Sequence, residues 1–207
     1  MKTKTPLPQL NQLKQLKWGV TTLKRLTQLI ALSLIASACS SPYQNQDSTG
    51  QTFPNVSAEA LDGEAWALPK DLSGKPALLL LGYVQDTQFD IDRWLIGVEL
   101  MDLKVKAYEL PTIKGLFPRM FSSKIDEGMR KGIPKALWGG VITVYRQGEE
   151  LQRFTGNERP RNARVMLLDA QGVVRFFTDE GFSVEGVKRL KQALQGLSAA
   201  PPSPPSL

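Results

Sequence analysis

The chain has 207 residues, 42% of them hydrophobic and 22% charged, with one cysteine and no histidine. That is the composition of one ordinary globular domain with flanking sequence. The cysteine and histidine counts exclude a zinc finger, an imidazole-ligated metal site, a Ser/His/Asp triad, a Cys/His nucleophile pair and an internal disulfide. The net charge of +6 is local in origin. Residues 1–38 hold Lys2, Lys4, Lys14, Lys17, Lys24 and Arg25 and no acidic residue, and setting these aside leaves 20 basic residues against 20 acidic ones. A neutral body lacks the broad positive field that dominates phosphate-backbone binding, so no nucleic-acid partner is expected.

Residues 1–38 have the order of a secretory signal. A basic stretch ends at Arg25. An apolar run from Leu29 to Ala36 follows, then the small residues Ala36-Ser37-Ala38 before Cys39. The run is well short of the ~20 residues that a spanning helix needs. Leu34-Ile35-Ala36-Ser37-Ala38-Cys39 resembles the lipobox of bacterial lipoproteins, although the usual leucine three places before the cysteine is Ala36 here. The resemblance implies lipidation of Cys39 and attachment to a membrane. Ser40 resembles the outer-membrane sorting pattern, which implies a protein of the cell envelope facing the periplasm. The alternative is a free thiol at a mature N-terminus, since Ala36-Ser37-Ala38 also suits the ordinary signal peptidase. Residues 39–52 are polar and read as a flexible tether.

Residues 53–195 form one candidate domain, followed by a proline-rich tail at 196–207 with no helix or central-strand potential. Phe53 to Leu68 suggests a lead-in hairpin turning at Asp62-Gly63, and Leu72 to Pro76 is a break. Ala77 to Val84 is a continuous apolar run, the mark of a strand buried on both faces. A helix follows, capped by Asp86 or Thr87, with Ile91, Trp94, Leu95, Val98 and Met101 in one stripe. Val105 to Leu110 is the second strand, stopped by Pro111. Ile113 to Leu137 is a helical insertion broken by Pro118, Gly128, Gly132 and Pro134. Trp138 to Tyr145 is a third strand, and Gln147-Gly148 turns into Glu150 to Phe154. Arg164 to Asp169 and Val173 to Phe177 make a closing hairpin. Ser183 caps a final helix with Val184, Val187, Leu190 and Leu194 on one face.

This order predicts an α/β thioredoxin-like fold: a central mixed sheet flanked by helices, with a helical insertion between the second and third strands. The first two strands would be parallel and the last two antiparallel. Val165 to Phe176 resembles the closing hairpin of thioredoxin-like and peroxiredoxin-like proteins. Phe154-Thr155-Gly156-Asn157-Glu158, Arg164 to Asp169, Gly172 to Phe176 and Gly181, taken together, are similar to the mitochondrial ATP synthase assembly factor family. That resemblance covers roughly residues 76–195 and implies a role in assembling a membrane complex.

Redox chemistry in this fold needs Cys-x-x-Cys at the start of the first helix, where the dipole and free N–H groups stabilise a thiolate. The matching segment is Gln85-Asp86-Thr87-Gln88-Phe89-Asp90, without sulfur. Peroxidase chemistry fails for want of the same atom, and the copper-chaperone branch for want of both cysteine and histidine. The cis-proline position falls near Asn162 or Ala163, and Pro160 lies short of it.

Candidate binding residues at this edge are Gln85, Asp86, Thr87, Arg93, Asn157, Arg159 and Arg161. Asp86 and Asp90, one turn apart, have a spacing suited to acid/base work; the competing reading is a cap and a favourable first-turn charge. Arg159, Arg161 and Arg164 are either an anion cluster or a solvated loop paired with Glu158. Trp66, Trp94 and Trp138 read as core.

The expectation is a lipid-anchored binding or assembly protein with a redox-inactive domain, a protein partner, no cofactor and no metal. The alternatives are a non-redox enzyme on an anionic small molecule, and a structural envelope lipoprotein.

Overall fold

The computed structural model describes residues 43–113 and 122–199. Cys39, the leader, the start of the tether, Leu116 to Phe121 and the tail from residue 200 lie outside the described residues.

The strands are β1 (Val56–Ala60), β2 (Ala65–Leu68), β3 (Ala77–Gly82), β4 (Lys106–Pro111), β5 (Ile142–Thr143), β6 (Arg164–Leu168) and β7 (Val174–Thr178). The helices are α1 (Gln88–Leu100), α2 (Ser122–Gly132), α3 (Gly148–Thr155) and α4 (Val184–Ala199). A four-stranded sheet has the order β4-β3-β6-β7, and a three-stranded sheet the order β2-β1-β5. β3 runs parallel to β4 and antiparallel to β6, and β6 is antiparallel to β7. The mixed sheet therefore has the expected directions.

The apolar run of β3 is explained by the period of two. Leu78 and Leu80 face one core with Val165 and Leu167 of β6, under Trp94 of α1 and Val187 and Leu190 of α4. Leu79 and Leu81 face the other core with Met166 and Leu168, against Phe53, Val56 and Leu68 of the lead-in hairpin. All four leucines are 0% exposed. Each contributes about 1.5–3 kcal/mol by leaving water, so both faces of β3 hold the layers together.

Helices α1 and α4 approach closely at two glycines. A Cβ on Gly97 would lie 2.9 Å from the Phe182 ring and 3.0 Å from Val187, and one on Gly186 would lie 2.8 Å from the Trp94 ring.

Four local expectations are corrected. Residues 43–52 are not a free tether where described: Asn157 N–H donates to Tyr43 O at 2.9 Å, Ser48 Oγ donates to Phe154 O at 2.7 Å, and Gly50 N–H donates to Val174 O at 2.8 Å. The third strand shrinks to two residues. Pro134 starts a 3-10 turn at Lys135–Gly140, Trp138 Nε1–H donates to Ile133 O at 2.9 Å, and β5 then pairs with β1. Its flanking residues meet the β4 segment through the parallel bridges Glu109–Val141 and Thr112–Val144. Helix α4 continues to Ala199, past the expected start of the tail, and Val184 is exposed rather than on its buried face. Of the tryptophans, Trp94 is fully buried, and Trp66 is partly buried against the first core, edge-on to Tyr108. Trp138 lies under the Arg130 guanidinium, 5.7 Å from the ring centre.

Candidate functional site

The corner where the sequence places its candidates lies past the C-terminal end of β3. The chain leaves β3 through Tyr83 and Val84, makes a 3-10 turn at Gln85–Thr87 and enters α1. The loop Asn157–Ala163 comes up beside it, ahead of β6.

Thr87 is buried. Its hydroxyl donates to Pro160 O at 2.8 Å and accepts from Val84 N–H at 3.4 Å. Thr87 makes no side-chain cap to α1; its hydroxyl instead ties the turn to the loop. Gln85 is exposed. Asp86 meets Arg161 Nε at 3.4 Å, with both side chains more than half exposed. Such a pair in water contributes about 0–1 kcal/mol.

Asp90 is the organising group. It is 2% exposed. One carboxylate oxygen accepts Ala163 N–H at 2.9 Å; the other accepts Phe182 N–H at 2.8 Å and Arg93 Nη2 at 3.2 Å. Three donors from α1, the pre-β6 loop and the segment before α4 converge on one carboxylate. Charge-assisted bonds of this kind are the strong ones. Asp86 and Asp90 sit in different surroundings: Asp86 is exposed beside Arg161, and Asp90 is buried under three N–H donors.

Arg164 is the second buried element, 0% exposed at the head of β6. Its Nη1 donates to Arg159 O and Asn162 O, both at 2.7 Å. Its guanidinium lies 5.2 Å from the centre of the Tyr83 ring, and Tyr83 Oη shares a 2.7 Å hydrogen bond with Thr155 Oγ1. Burial pulls the Arg164 pKa down, opposed by the nearby Tyr83 and Asp179. Burial also pushes the Tyr83 hydroxyl well above its usual range, against the Thr155 hydrogen bond and the Arg164 charge. Arg164 Nε and Nη2, and Asp179 Oδ2, have no hydrogen-bond partner. Tyr83, Thr155, Arg164 and Thr87 thus form a polar plug behind the turn.

The expected constellation comes together only in part. Asp86 and Arg161 meet, and Thr87 joins the loop through Pro160. Arg93 folds back along α1, donating to Phe89 O at 3.1 Å and to Asp90. Asn157 lies at the far end of the loop, where its Nδ2 donates to Gln152 Oε1 at 3.2 Å. The three arginines play separate parts: Arg159 supplies its carbonyl to Arg164, where its charge is also felt, Arg161 pairs with Asp86, and Arg164 is the plug. Asn162 donates to Asp179 O at 2.9 Å. There is no cis-proline at this corner; the cis peptide bond among the described residues is Leu68-Pro69. Sequence reasoning missed Tyr83 and Thr155. Tyr83 did carry a signal, being the one aromatic hydroxyl at the end of the β3 apolar run.

A cavity of about 480 Å³ lies elsewhere, at the opposite end of the sheet, lined by Leu72, Lys75, Lys104, Lys106, Tyr108 and Leu194.

No known family and no curated protein matches the chain. Solved structures do. Yeast Sco1 with copper bound superposes with a TM-score of 0.53 at 11% identity, covering 76% of this chain and 97% of that one. A thiol peroxidase from Chromobacterium violaceum gives 0.49 at 14% identity, covering 77% and 94%. The Sco-family protein BsSco gives 0.49 at 12% identity, covering 75% and 98%. The fold is thioredoxin-like. At these identities the likeness is one of fold alone. Copper does not fit this corner: its turn offers an amide, a solvated carboxylate already beside Arg161, and a hydroxyl committed to a carbonyl. None is the soft sulfur or imidazole donor that copper selects. Among the described residues no group of three His, Cys, Asp or Glu side chains is placed to hold a metal ion. No helix among them is long and apolar enough to cross a membrane.

Proposed function

We propose that this chain is a binding or assembly protein of the bacterial cell envelope, held at a membrane by lipid on Cys39, with a thioredoxin-like domain that works without redox chemistry. The observation that carries the reading is the state of the corner. Where this fold would place a reactive sulfur, Thr87 is bonded to Pro160, and the carboxylate of Asp90 accepts from Ala163, Phe182 and Arg93. A buried carboxylate already accepting from three N–H donors is poorly placed to take a proton from a substrate. The corner therefore serves to fix a surface made by the 85–87 turn and the 157–162 loop, with Asp86 and Arg161 outermost.

The leader sequence supports the anchor, and the similarity of segments between Phe154 and Gly181 to the ATP synthase assembly factor family favours an assembly role. The anchor is tested by labelled palmitate: incorporation by the natural chain and none by Cys39→Ala is expected, and an unlabelled natural chain contradicts it. The binding role is tested by a photo-crosslinking amino acid at Arg161 in living cells. One reproducible protein adduct is expected, and recovery of the bait alone under several growth conditions refutes the role.

A further inference from the structure

Helix α1 buries Ile91, Trp94 and Val98 and carries a second apolar stripe on its outer side. Phe89, Ile96 and Leu100 are 72%, 54% and 82% exposed. They fall at i, i+7 and i+11, within about 40° of one line along the helix at 100° per residue. Arg93 lies on the same face, 60% exposed. Together the three side chains expose roughly 400 Å² of apolar surface, the size of the largest patch on an ordinary monomer, which is often a functional one.

The flanks of this stripe differ in charge. One side carries Asp92 and Glu99, with Glu109 of β4 behind them; Gln88 Nε2 donates to Asp92 at 2.9 Å and to Glu109 at 3.0 Å. The other side faces α4 and carries Arg93 and Lys191, whose Nζ reaches Met101 O at 3.5 Å.

We propose that the outer face of α1 is a self-association surface that pairs with α1 of a second copy, the two helices parallel. The direction follows from symmetry. A two-fold axis along the helices sets the acidic flank of each copy against the basic flank of the other, so that Arg93 meets Asp92 and Lys191 comes level with Glu99, each contact occurring twice. A two-fold axis across the helices sets acid against acid, which costs energy. In the parallel arrangement each stripe residue faces its own copy near the axis, as in an isologous interface. The apolar area is about half of the ~800 Å² per partner in a standard interface, so the association is weak and reversible. A shared membrane surface would raise the local concentration that it needs. This surface stands apart from the 85–87 corner, and the proposal does not depend on the reading of that corner.

The test uses the full chain with Cys39→Ala, so that any introduced thiol is the only one. Sedimentation velocity should show a dimer fraction that rises with micromolar concentration. Leu100→Asp, an exposed change that leaves the circular-dichroism melt in place, should weaken the dimer at least tenfold. Under mild oxidation Ile96→Cys should give a disulfide-linked dimer, and Glu127→Cys on α2 should not. Four results overturn the proposal: a monomer at every concentration, a dimer indifferent to Leu100→Asp, equal crosslinking at both cysteines, and a monomer that floats with phosphatidylcholine vesicles through this stripe.

Discussion

Replacing Asp90 tests the corner most sharply. In Asp90→Ala the N–H groups of Ala163 and Phe182 lose their acceptor, and Ala163 is 0% exposed. An orphaned buried donor costs ~1–3 kcal/mol, and bonds to a charged acceptor lie at the upper end. Two of them give a loss of about 3–5 kcal/mol. Arg93 is more than half exposed and adds little. Asp90→Asn keeps the shape but turns an amide NH2 towards one of the two donors, so a loss of ~2–3 kcal/mol is expected. The assay is urea unfolding of the full chain followed by tryptophan fluorescence, with an unchanged slope and a shifted midpoint. Amide exchange at Ala163 and Phe182 should accelerate more than exchange in β3. A change below about 0.5 kcal/mol in both variants would show that the carboxylate is not structurally committed, and would return it to the list of candidate bases.

Arg164→Met replaces a buried cation with two unpartnered nitrogens by an apolar side chain of similar length. Its melting temperature should fall, because the carbonyls of Arg159 and Asn162 lose their donor, and an unchanged or higher value would show that burying the cation costs more than its bonds return. Gly97→Val should destabilise the fold by about 1–3 kcal/mol in denaturant titration, because the Phe182 ring and Val187 leave no room for it. Glu109 has its pKa raised, first by burial and then by Asp92, against the Gln88 hydrogen bond. Its ionisation therefore opposes folding, so Glu109→Gln should stabilise at neutral pH, with the gain vanishing below the ordinary glutamate range near ~4.3. For Asp169, burial alone would raise the pKa, but the N–H groups of Val173 and Gln171 together with Arg175 outweigh it and hold it low. The stability that Asp169 supplies is present above its unfolded value and is lost as pH falls through the lower folded one. Asp169→Asn should accordingly flatten the acid limb of a stability–pH curve.

The layers of the fold were legible because they follow from period and length. The run at Ala77–Leu81 is apolar at every position because each neighbouring pair of residues faces a different core. Ser183 caps α4 as its sequence position requires, with Gly186 N–H donating to Ser183 Oγ at 3.0 Å. The segment Trp138–Tyr145 misled because β-branched residues at 141–144 have a strand pattern, while the proline and paired glycines before them make a turn. Glu150 to Phe154 turned out to be part of α3, a short helix whose start at Gly148 lies against Ile113 O. At the corner, the sequence located the right segments and misjudged the side chains. A carboxylate in a first helical turn reads as a dipole charge, and only the folded chain shows Ala163 and Phe182 N–H pointing at it. Likewise Arg164 looked like one of three loop arginines. Its place directly before Val165-Met166-Leu167-Leu168, a fully buried strand, was the sign that it would be taken inside.

The thioredoxin-like corner is expected to hold structure and to carry out no disulfide-reducing or peroxide-consuming chemistry of any kind. The most direct measurement is the rate at which the full chain with Cys39→Ala reduces insulin disulfides and consumes hydrogen peroxide in the presence of dithiothreitol. The buffer rate is expected in both assays. A catalytic rate that persists after the chain's one sulfur nucleophile is gone would contradict it.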